Sequence, residues 1–502
     1  MSRLRDRYTL PLVVLLTTCL IASARAGDAA PKESWTGMYM NGKKIGYTNS
    51  ITESSVYQGK PCMKITSRSV TKIELFGQSV SQNVDFTLFT DSGYNPIHQE
   101  FKMESNGSTL GFTADYLPER IRCVVQAGGG ETVKEVPIPQ GAKLVGDTSM
   151  VTQGKQVQVG SKNTFYFLSP LTVSLDKITT EVKGLDKVRL NGTAYDAYRI
   201  LVTTSFGSSN TWETTDGEVL KGELPLGMAM FRETRETAIN LKSSIPSFLV
   251  AGSASVPTAN SNKITGDIAL ATAIMVDKPI QKPRTAKLLT VTLKGIDDES
   301  RIISDDRQNA KRDAFGGYSY TVKATRFDAA KSVTLPIAEK TVQPFLHRAA
   351  YLETDDPQIM ERAQQLRGDE TNAYKVATII RQWVHSTMKP DFTIGVPRSC
   401  VSLYKDPKGV CRDYATLFAG VARAAGIPTR VVGGIIYDDQ KNRFFYHAWV
   451  ECWVGRWVAL DPTLPTDFVD ATHIKFAQGD VTEMYNVGNI VGRIKLKVVA
   501  SE

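Results

Sequence analysis

A thiol, an imidazole and a carboxylate follow one another in the C-terminal part of the sequence, at Cys411, His447 and Asp461. The cysteine begins a predicted helix, the histidine lies on a predicted strand, and the aspartate directly precedes a proline. A thiolate attacks a carbonyl carbon once a neighbouring base has taken its proton, and a third group can orient that base. The three side chains therefore predict a Cys-His-Asp triad for nucleophilic catalysis.

The helix that would carry the cysteine is predicted from both of its ends. Residues 415–425 are apolar nearly all round, which is typical of a buried helix, and Gly426 followed by Pro428 predicts its end. Cys411 then lies in the first turn, where unpaired N–H groups and the helix dipole favour an anion. We therefore expect a thiolate to be favoured there and a backbone N–H to be available for an oxyanion.

Two predicted strands bring the histidine close to the aspartate. Residues 444–453 alternate in polarity and contain His447. A three-residue hairpin loop at 454–456 would set Trp457 opposite the end of this strand. Asp461 would then be a same-face diagonal neighbour of His447, at roughly 7 Å between the backbones.

Two alternatives compete with this triad. Glu451 is a rival carboxylate, but it lies four residues along the histidine's own strand, roughly 13 Å away. A metal site of Cys411, His447 and Cys452 is opposed by strand parity, and the sequence contains no Cys-x-x-Cys or His-Glu-x-x-His pattern. We expect no metal and no cofactor. We also expect the remaining histidines to be isolated and structural: His98, His347, His385 and His473.

Length and composition predict a globular protein of several domains. The 502 residues suggest about three domains, at roughly 150 residues each. Apolar residues make up 42% and charged residues 22%, which is typical of soluble proteins. The formal net charge is +8 without any block of five or six like charges, which argues against a nucleic-acid partner.

The first 26 residues predict a signal peptide. Three arginines form a basic head, residues 10–22 form an apolar stretch, and Ala24-Arg25-Ala26 is a small-x-small cleavage site. The apolar stretch is too short to span a bilayer comfortably, so we expect no stable membrane span after cleavage. An uncleaved anchor is the alternative. The mature protein is therefore expected to be exported, to the periplasm or the exterior.

Five cysteines follow this signal, and an odd number leaves at least one thiol unpaired. Cys411 could be that thiol, or it could be structural or disulfide-bonded. In the first case the other four could pair in three ways or not at all: Cys62, Cys123, Cys400 and Cys452.

Residues 35–240 predict an antiparallel β domain. Alternating polarity at Val84, Phe86 and Leu88 is typical of a strand with one buried face. Asn-Gly and Asp-Gly dipeptides between apolar runs predict two-residue hairpins, because both positions tolerate a positive φ. They occur at 41–42, 106–107, 191–192 and 216–217. Such a sheet could cover a groove.

The rest of the chain predicts three further parts. Residues 241–283 are a linker or helical segment, 284–345 a small β segment, and 346–502 the catalytic domain. Two helices open that last domain. The first begins at Pro357, and the second carries an apolar stripe of Val376, Ile379, Ile380, Trp383 and Val384.

Four blocks of this last domain closely resemble the transglutaminase-like superfamily. They occur in order over residues 345–475, at 409–415 (GVCRDYA), 426–430 (GIPTR), 446–451 (YHAWVE) and 457–463 (WVALDPT). The segment 470–474 is also similar to a downstream segment of exported bacterial members. Residues 398–401 depart from the Ala-x-Glu pattern expected before the nucleophile.

The resemblance implies an α+β chain: an N-terminal antiparallel sheet followed by a papain-like core, in which the cysteine's helix packs on an antiparallel sheet. It also implies that Cys411 is the nucleophile, His447 the base and Asp461 its orienting partner. Members include protein cross-linking enzymes, peptidases, amidases and inactive relatives, so the reaction stays open.

We therefore expect an exported enzyme that cleaves or exchanges an amide in a protein or peptide, including cell-envelope material, through a thioester. Water is the favoured acceptor, because the sequence shows no amine-binding site and no calcium loop. The alternative is a non-catalytic cell-envelope binding or assembly protein with a degenerate domain. The sequence does not determine the oligomeric state.

Overall fold

The computed structural model describes residues 30–127, 130–146, 158–190, 192–205, 207–215, 217–242, 267–314 and 316–502. The predicted signal peptide, most of the predicted linker, and Asn191 and Asp216 of two predicted turns lie outside these residues. The chain divides into two compact units. One contains Thr272–Glu502 with Gln126–Thr132, and the other contains Val133–Ala271 with the described residues up to Val125.

Fifteen strands in the described N-terminal ranges form one sheet. Two meanders, β1 to β8 and β9 to β15, join where β1 pairs with β15 in antiparallel fashion; β9 runs parallel to β10. The strands are β1 Lys32–Met40, β2 Lys43–Tyr57, β3 Lys60–Leu75, β4 Gln78–Thr90, β5 Pro96–Ser105, β6 Ser108–Tyr116, β7 Arg120–Ala127, β8 Gly130–Pro137, β9 Leu144–Val145, β10 Lys162–Ser169, β11 Ser174–Leu190, β12 Thr193–Thr204, β13 Gly207–Thr214, β14 Val219–Leu224 and β15 Met228–Glu233.

The predicted hairpin turns at 41–42 and 106–107 are confirmed. Each is a two-residue connection between neighbouring strands, with φ of 48° and 83° at Asn41 and Gly42 and of 46° and 76° at Asn106 and Gly107. These positive values are the ones that a hairpin of this length requires. The alternation on β4 is confirmed as well, since its three apolar side chains are buried: Val84, Phe86 and Leu88.

The helices of the described residues are short and lie mainly in the C-terminal unit. None of them combines the length and the apolarity needed to cross a bilayer. The α-helices are α1 Arg235–Ile239, α2 Ile268–Thr272, α3 Pro357–Arg367, α4 Ala373–Thr387, α5 Cys400–Lys405, α6 Cys411–Ala424 and α7 Val481–Met484. The 3-10 helices are Pro225–Gly227, Pro283–Thr285, Glu299–Arg301, Ala329–Lys331, Lys340–Leu346 and Tyr485–Ile490.

The predicted start of α3 is confirmed, and the predicted stripe of α4 is too wide. Asp356 caps α3 by accepting hydrogen bonds from two backbone N–H groups of the first turn. On α4, Ile379 is 37% exposed and Trp383 is only half-buried, whereas the other three stripe residues are buried. Trp383 lies instead against Tyr404 and Arg362, so this side of the helix borders a partly exposed aromatic cluster.

An antiparallel sheet with α6 packed against it forms the centre of the C-terminal unit. Its strands are ordered β16–β23–β22–β25, and β24 pairs with β23. The unit is therefore of the α+β class. The bounds are β16 Ile274–Met275, β22 Thr429–Asp438, β23 Arg443–Trp453, β24 Trp457–Leu460 and β25 Ile474–Gly479. A two-stranded ribbon is made by β20 Lys389–Pro390 and β21 Lys408–Gly409.

A second, four-stranded sheet links the two ends of this unit. Its order is β18–β19–β17–β26, with β17 Leu288–Lys294, β18 Gln308–Arg312, β19 Tyr318–Lys323 and β26 Lys495–Ser501. The strands predicted in the segment 284–345 thus take a partner from the C-terminus. The division expected at residue 345 therefore does not separate compact units, and β16, from the expected linker, pairs with β23.

Candidate active site

Cys411 is the first residue of α6 and is fully buried. Asp413 defines this end of the helix, since its Oδ2 accepts a hydrogen bond from the Val410 N–H at 2.9 Å. The helix is buried along its length, as predicted, and Gly426 follows it with a φ of 90°. The sulfur therefore lies at the positive end of a buried helix dipole.

His447 and Asp461 are brought together by the hairpin of β23 and β24. The predicted pairing is confirmed: Trp453 lies opposite Trp457, and the loop between them has three residues. His447 Nε2 lies 2.8 Å from Asp461 Oδ2, and both side chains are buried. Because Nε2 faces the carboxylate, Nδ1 is the ring nitrogen left to face sulfur.

Asp461 makes hydrogen-bonding contacts with four groups, which come from three residues. Its Oδ1 accepts from the Thr463 N–H at 2.8 Å and from Thr463 Oγ1 at 2.6 Å. Its Oδ2 faces His447 and, at 3.2 Å, Nε2 of His473. Burial alone would raise the pKa of Asp461, but the two histidines lower it well below its usual range. Asp461 is therefore an ionised acceptor at neutral pH.

The environment of His447 favours its protonated form. Burial acts to lower the pKa of His447, but Asp461 and the side chain of Cys411 together raise it above the usual value. The ring of Trp449 lies nearly parallel to His447, with 6.1 Å between centroids. An imidazolium in this position can balance a thiolate on Cys411.

The rival carboxylate, Glu451, belongs to a separate buried ion cluster. It accepts hydrogen bonds from Lys475 Nζ at 2.8 Å and from Arg430 Nε at 2.8 Å. Burial alone would raise the pKa of Glu451, but these two cations lower it. Its oxygens are thus engaged by other side chains, which leaves Asp461 as the carboxylate that contacts His447.

The prediction that His473 is isolated is wrong. His473 is fully buried and contacts Asp461 through Nε2, because β25 pairs with β22 and brings the preceding turn back to the site. His98 is not isolated either, since its Nδ1 lies 2.7 Å from Asp115. No local pattern marks His473, and its only signal was the block 470–474 that resembles exported relatives.

Three of these buried side chains have a donor set that could hold a divalent metal ion. The ligand atoms of His447, Asp461 and His473 lie within 4.8 Å of one another. Their hydrogen bonds account for this proximity without an ion. Cys452, the third member of the metal site considered from sequence, hydrogen-bonds with Thr429 at 3.6 Å.

All five cysteines of the described residues are buried and free of disulfides: Cys62, Cys123, Cys400, Cys411 and Cys452. Of the pairings left open by the sequence, the structure therefore has none. Burial raises the pKa of the four thiols other than Cys411, to about 12 for Cys123 and Cys452. These four are poor nucleophiles at neutral pH.

Comparisons with known proteins match parts of the chain. The protein-glutamine gamma-glutamyltransferase of Pseudomonas aeruginosa is 35% identical over 102 residues, which are 18% of this chain and 15% of that protein. An uncharacterized protein of Mycobacterium leprae is 33% identical over 100 residues, 18% of this chain and 34% of that protein. The chain thus spans about a third or less of these curated relatives.

A solved structure, the periplasmic domain of TgpA from Pseudomonas aeruginosa bound to ethylmercury, is 20% identical; the match covers 32% of this chain and 66% of that one, with a TM-score of 0.23. The family model described as the transglutaminase-like superfamily matches residues 360–462. These residues include all three predicted triad members. The similarity to the transglutaminase-like superfamily therefore concerns the segment 360–462.

Proposed function

We propose that this protein is an exported cysteine-dependent acyl-transfer enzyme that acts on an amide bond of a protein or peptide. One observation carries the proposal. A buried His447 interacts on one side with Asp461 and on the other with Cys411, which begins a helix. Export is inferred from the signal predicted at residues 1–26.

The arrangement supports a two-step reaction. His447 takes the proton of Cys411, and the sulfur attacks the amide carbonyl carbon while first-turn N–H groups of α6 stabilise the oxyanion. The imidazolium then protonates the leaving amine as the C–N bond breaks, and a thioester remains. In the second step His447 takes a proton from the acceptor, which attacks the thioester and releases the sulfur. Asp461 holds the ring in orientation throughout.

Water is the proposed acceptor, which makes the enzyme a peptidase or amidase. The name of the Pseudomonas aeruginosa relative describes transfer of a glutamyl group, but this chain spans only 15% of that protein. The two outcomes can be separated by adding a fluorescent primary amine to the wild-type enzyme with cell-envelope protein. Hydrolysis yields new carboxylates without fluorescence in the protein, whereas transamidation couples the dye covalently.

The proposal predicts that Cys411 is the reactive thiol of the folded protein. Iodoacetamide, which is small and neutral, should label Cys411 at least about tenfold faster than the four thiols whose pKa is raised, because His447 lies beside Cys411 and can take its proton. The sites are identified by peptide mass spectrometry after timed quenching. Because Cys411 is buried, the rate also includes access to the site, and labelling in denaturant gives the reference for equal access.

A trapped intermediate provides the second test. Incubation with cell-envelope extract followed by acid quenching should leave an acyl group on the Cys411 peptide of the wild type and none in Cys411→Ala. Slow, uniform labelling of all five thiols together with no adduct would overturn the proposal. Ligand binding that is unchanged in Cys411→Ala would then favour the non-catalytic binding protein instead.

A further inference from the structure

One oxygen of Asp461 is shared by two histidines. Oδ2 lies 2.8 Å from His447 Nε2 and 3.2 Å from His473 Nε2, and the two rings meet edge to face at 5.7 Å between centroids. The other oxygen is occupied by Thr463. The position of this carboxylate is thus set from two sides, and His473 is the only one of its partners that comes from the 470–473 turn.

His473 is itself held by a carboxylate. Its Nδ1 lies 3.3 Å from Asp470 Oδ1, an oxygen that also accepts from the Thr472 N–H at 2.8 Å and from Thr472 Oγ1 at 2.6 Å. Asp470 Oδ2 forms a salt bridge with Arg284 at 2.7 Å. Burial alone would raise the pKa of Asp470, but Arg284 and His473 lower it well below its usual range. Asp470 is therefore an anion that orients the ring.

The turn that carries these residues is also held by its backbone. Arg307, from the segment before β18, donates to the carbonyl of Asp470 at 2.6 Å and to that of His473 at 2.5 Å. Both guanidinium groups come from the segment 284–312, outside the superfamily match. Two arginines of that segment thus hold a histidine in contact with the carboxylate of the triad.

We infer that His473 is a positioning residue of the triad: it holds Asp461 Oδ2 in line with His447 Nε2 and thereby keeps the other ring nitrogen of His447 directed at Cys411. This inference rests on the proposed function. Without His473, Oδ2 would keep only His447 as a partner, and the carboxylate could rotate about the contacts that Thr463 makes with Oδ1. Partners that orient the ligands of metal sites change affinity or activity by about 10- to 100-fold, and we expect an effect of the same order here.

The alternative is that His473 has only a packing role in the core. Its ring lies edge to face with Trp449, at 5.3 Å between centroids. His473→Phe retains an aromatic ring in this place and removes both ring nitrogens. His473→Gln restores one amide donor near the position of Nε2. Comparison of these two variants therefore separates the effect of the hydrogen bond from the effect of packing.

The test measures the pH profile of iodoacetamide labelling at Cys411 in the full chain. We expect His473→Phe to slow labelling by about 10- to 100-fold at neutral pH and to alter the profile, and His473→Gln to recover part of the loss. His98→Phe is the matched control, because it removes another histidine–aspartate contact in the N-terminal sheet. It should leave the profile unchanged. Thermal unfolding of each variant shows whether it is folded at the assay temperature.

A second measurement does not depend on the proposed function. The low-field proton resonance of the His447 ring N–H reports its hydrogen bond to Asp461, and it should move or broaden in His473→Phe and return towards its original position in His473→Gln. If His473→Phe does not fold, Asp470→Asn is the substitute, because it changes the carboxylate that orients His473. An unchanged resonance and a labelling rate within about twofold of wild type would leave His473 a packing residue only. Unselective labelling of the wild type together with a shifted resonance would overturn the proposed function but retain the positioning role.

Discussion

Whether His447 can act as a base depends on which of its nitrogens carries the proton. Asp461 remains ionised because the histidines beside it outweigh the effect of burial on its pKa. An ionised carboxylate can only accept a hydrogen bond, so Nε2 of His447 must donate. In the neutral ring Nδ1 is then an acceptor, which is the form able to take a proton from Cys411. The charge of one buried side chain thus selects the tautomer of the next.

Asp461→Asn should therefore lower the reactivity of the Cys411 thiol while most of the packing around the site is retained. The amide can present N–H₂ to Nε2, which would stabilise the wrong tautomer and turn the protonated Nδ1 towards sulfur. We expect the labelling rate of Cys411, and any turnover, to fall by roughly 10²- to 10⁴-fold. Timed labelling with peptide mass spectrometry measures the effect.

Glu451→Gln is the matched control, because it neutralises another buried carboxylate of the same hairpin. It removes the charge that pairs with Lys475 and Arg430, so it should lower the free energy of unfolding. The reactivity of Cys411 should stay near that of the wild type. An equal loss of reactivity in both variants would mean that the carboxylates act only through stability.

At the level of elements, the site depends on how closely three strands approach at Gly434. This residue lies opposite His447 on β22, and a Cβ there would be 2.1 Å from the Ile474 carbonyl oxygen and 2.6 Å from the Trp449 ring. Only a residue without a side chain allows β25 and Trp449 to approach in this way. The contact of His473 with Asp461 depends on the same β22–β25 pairing.

Gly434→Ala should consequently destabilise the C-terminal unit by about 1–3 kcal/mol, since neither the backbone carbonyl nor the buried ring can give way without strain. Urea unfolding measures the loss, and the labelling rate of Cys411 should fall with it as β25 shifts. Gly184→Ala on β11 is the comparison, because its nearest side-chain atom is 3.9 Å from the added carbon. A Gly434→Ala protein as stable as Gly184→Ala would show that the strands can move apart at little cost.

Local sequence signals were enough to predict the elements that carry Cys411, His447 and Asp461. The glycine and proline after α6, and the three-residue loop at 454–456, depend on neighbouring residues alone, so the contact between His447 and Asp461 followed from register. The role of His473 depends on pairing between β22 and β25, which no local pattern specifies. The pairing of β26 with β17 joins residues about two hundred positions apart. Such contacts are set by the packing of the whole unit.

At the scale of the molecule, several buried ionisable groups of the C-terminal unit have pKa values that their charged neighbours shift against the effect of burial. The pKa values of Asp461, Asp470 and Glu451 are lowered by their cationic or histidine neighbours, although burial acts against this. The pKa of His447 is raised in spite of burial. A carboxylate whose pKa is lowered by folding stabilises the fold at pH values above its pKa in the unfolded chain, about 4. A histidine whose pKa is raised by folding stabilises the fold at pH values below its pKa in the unfolded chain, about 6.5.

The stability of this unit should therefore be greatest between about pH 4 and pH 6.5, where both contributions are present. Below that range, protonation of the three carboxylates removes their interactions with the neighbouring cations and histidines. The free energy of unfolding therefore falls as the pH drops through the pKa values that these carboxylates have in the folded protein. Above it, stability falls as the pH rises through the folded pKa of His447. Hydrogen exchange of the β22 and β23 amides at several pH values measures this unit rather than the N-terminal sheet. Glu451→Gln should reduce the loss of stability at acidic pH and leave the loss above about pH 6.5 unchanged. A stability that does not change between pH 3 and pH 8 would contradict the assigned charges.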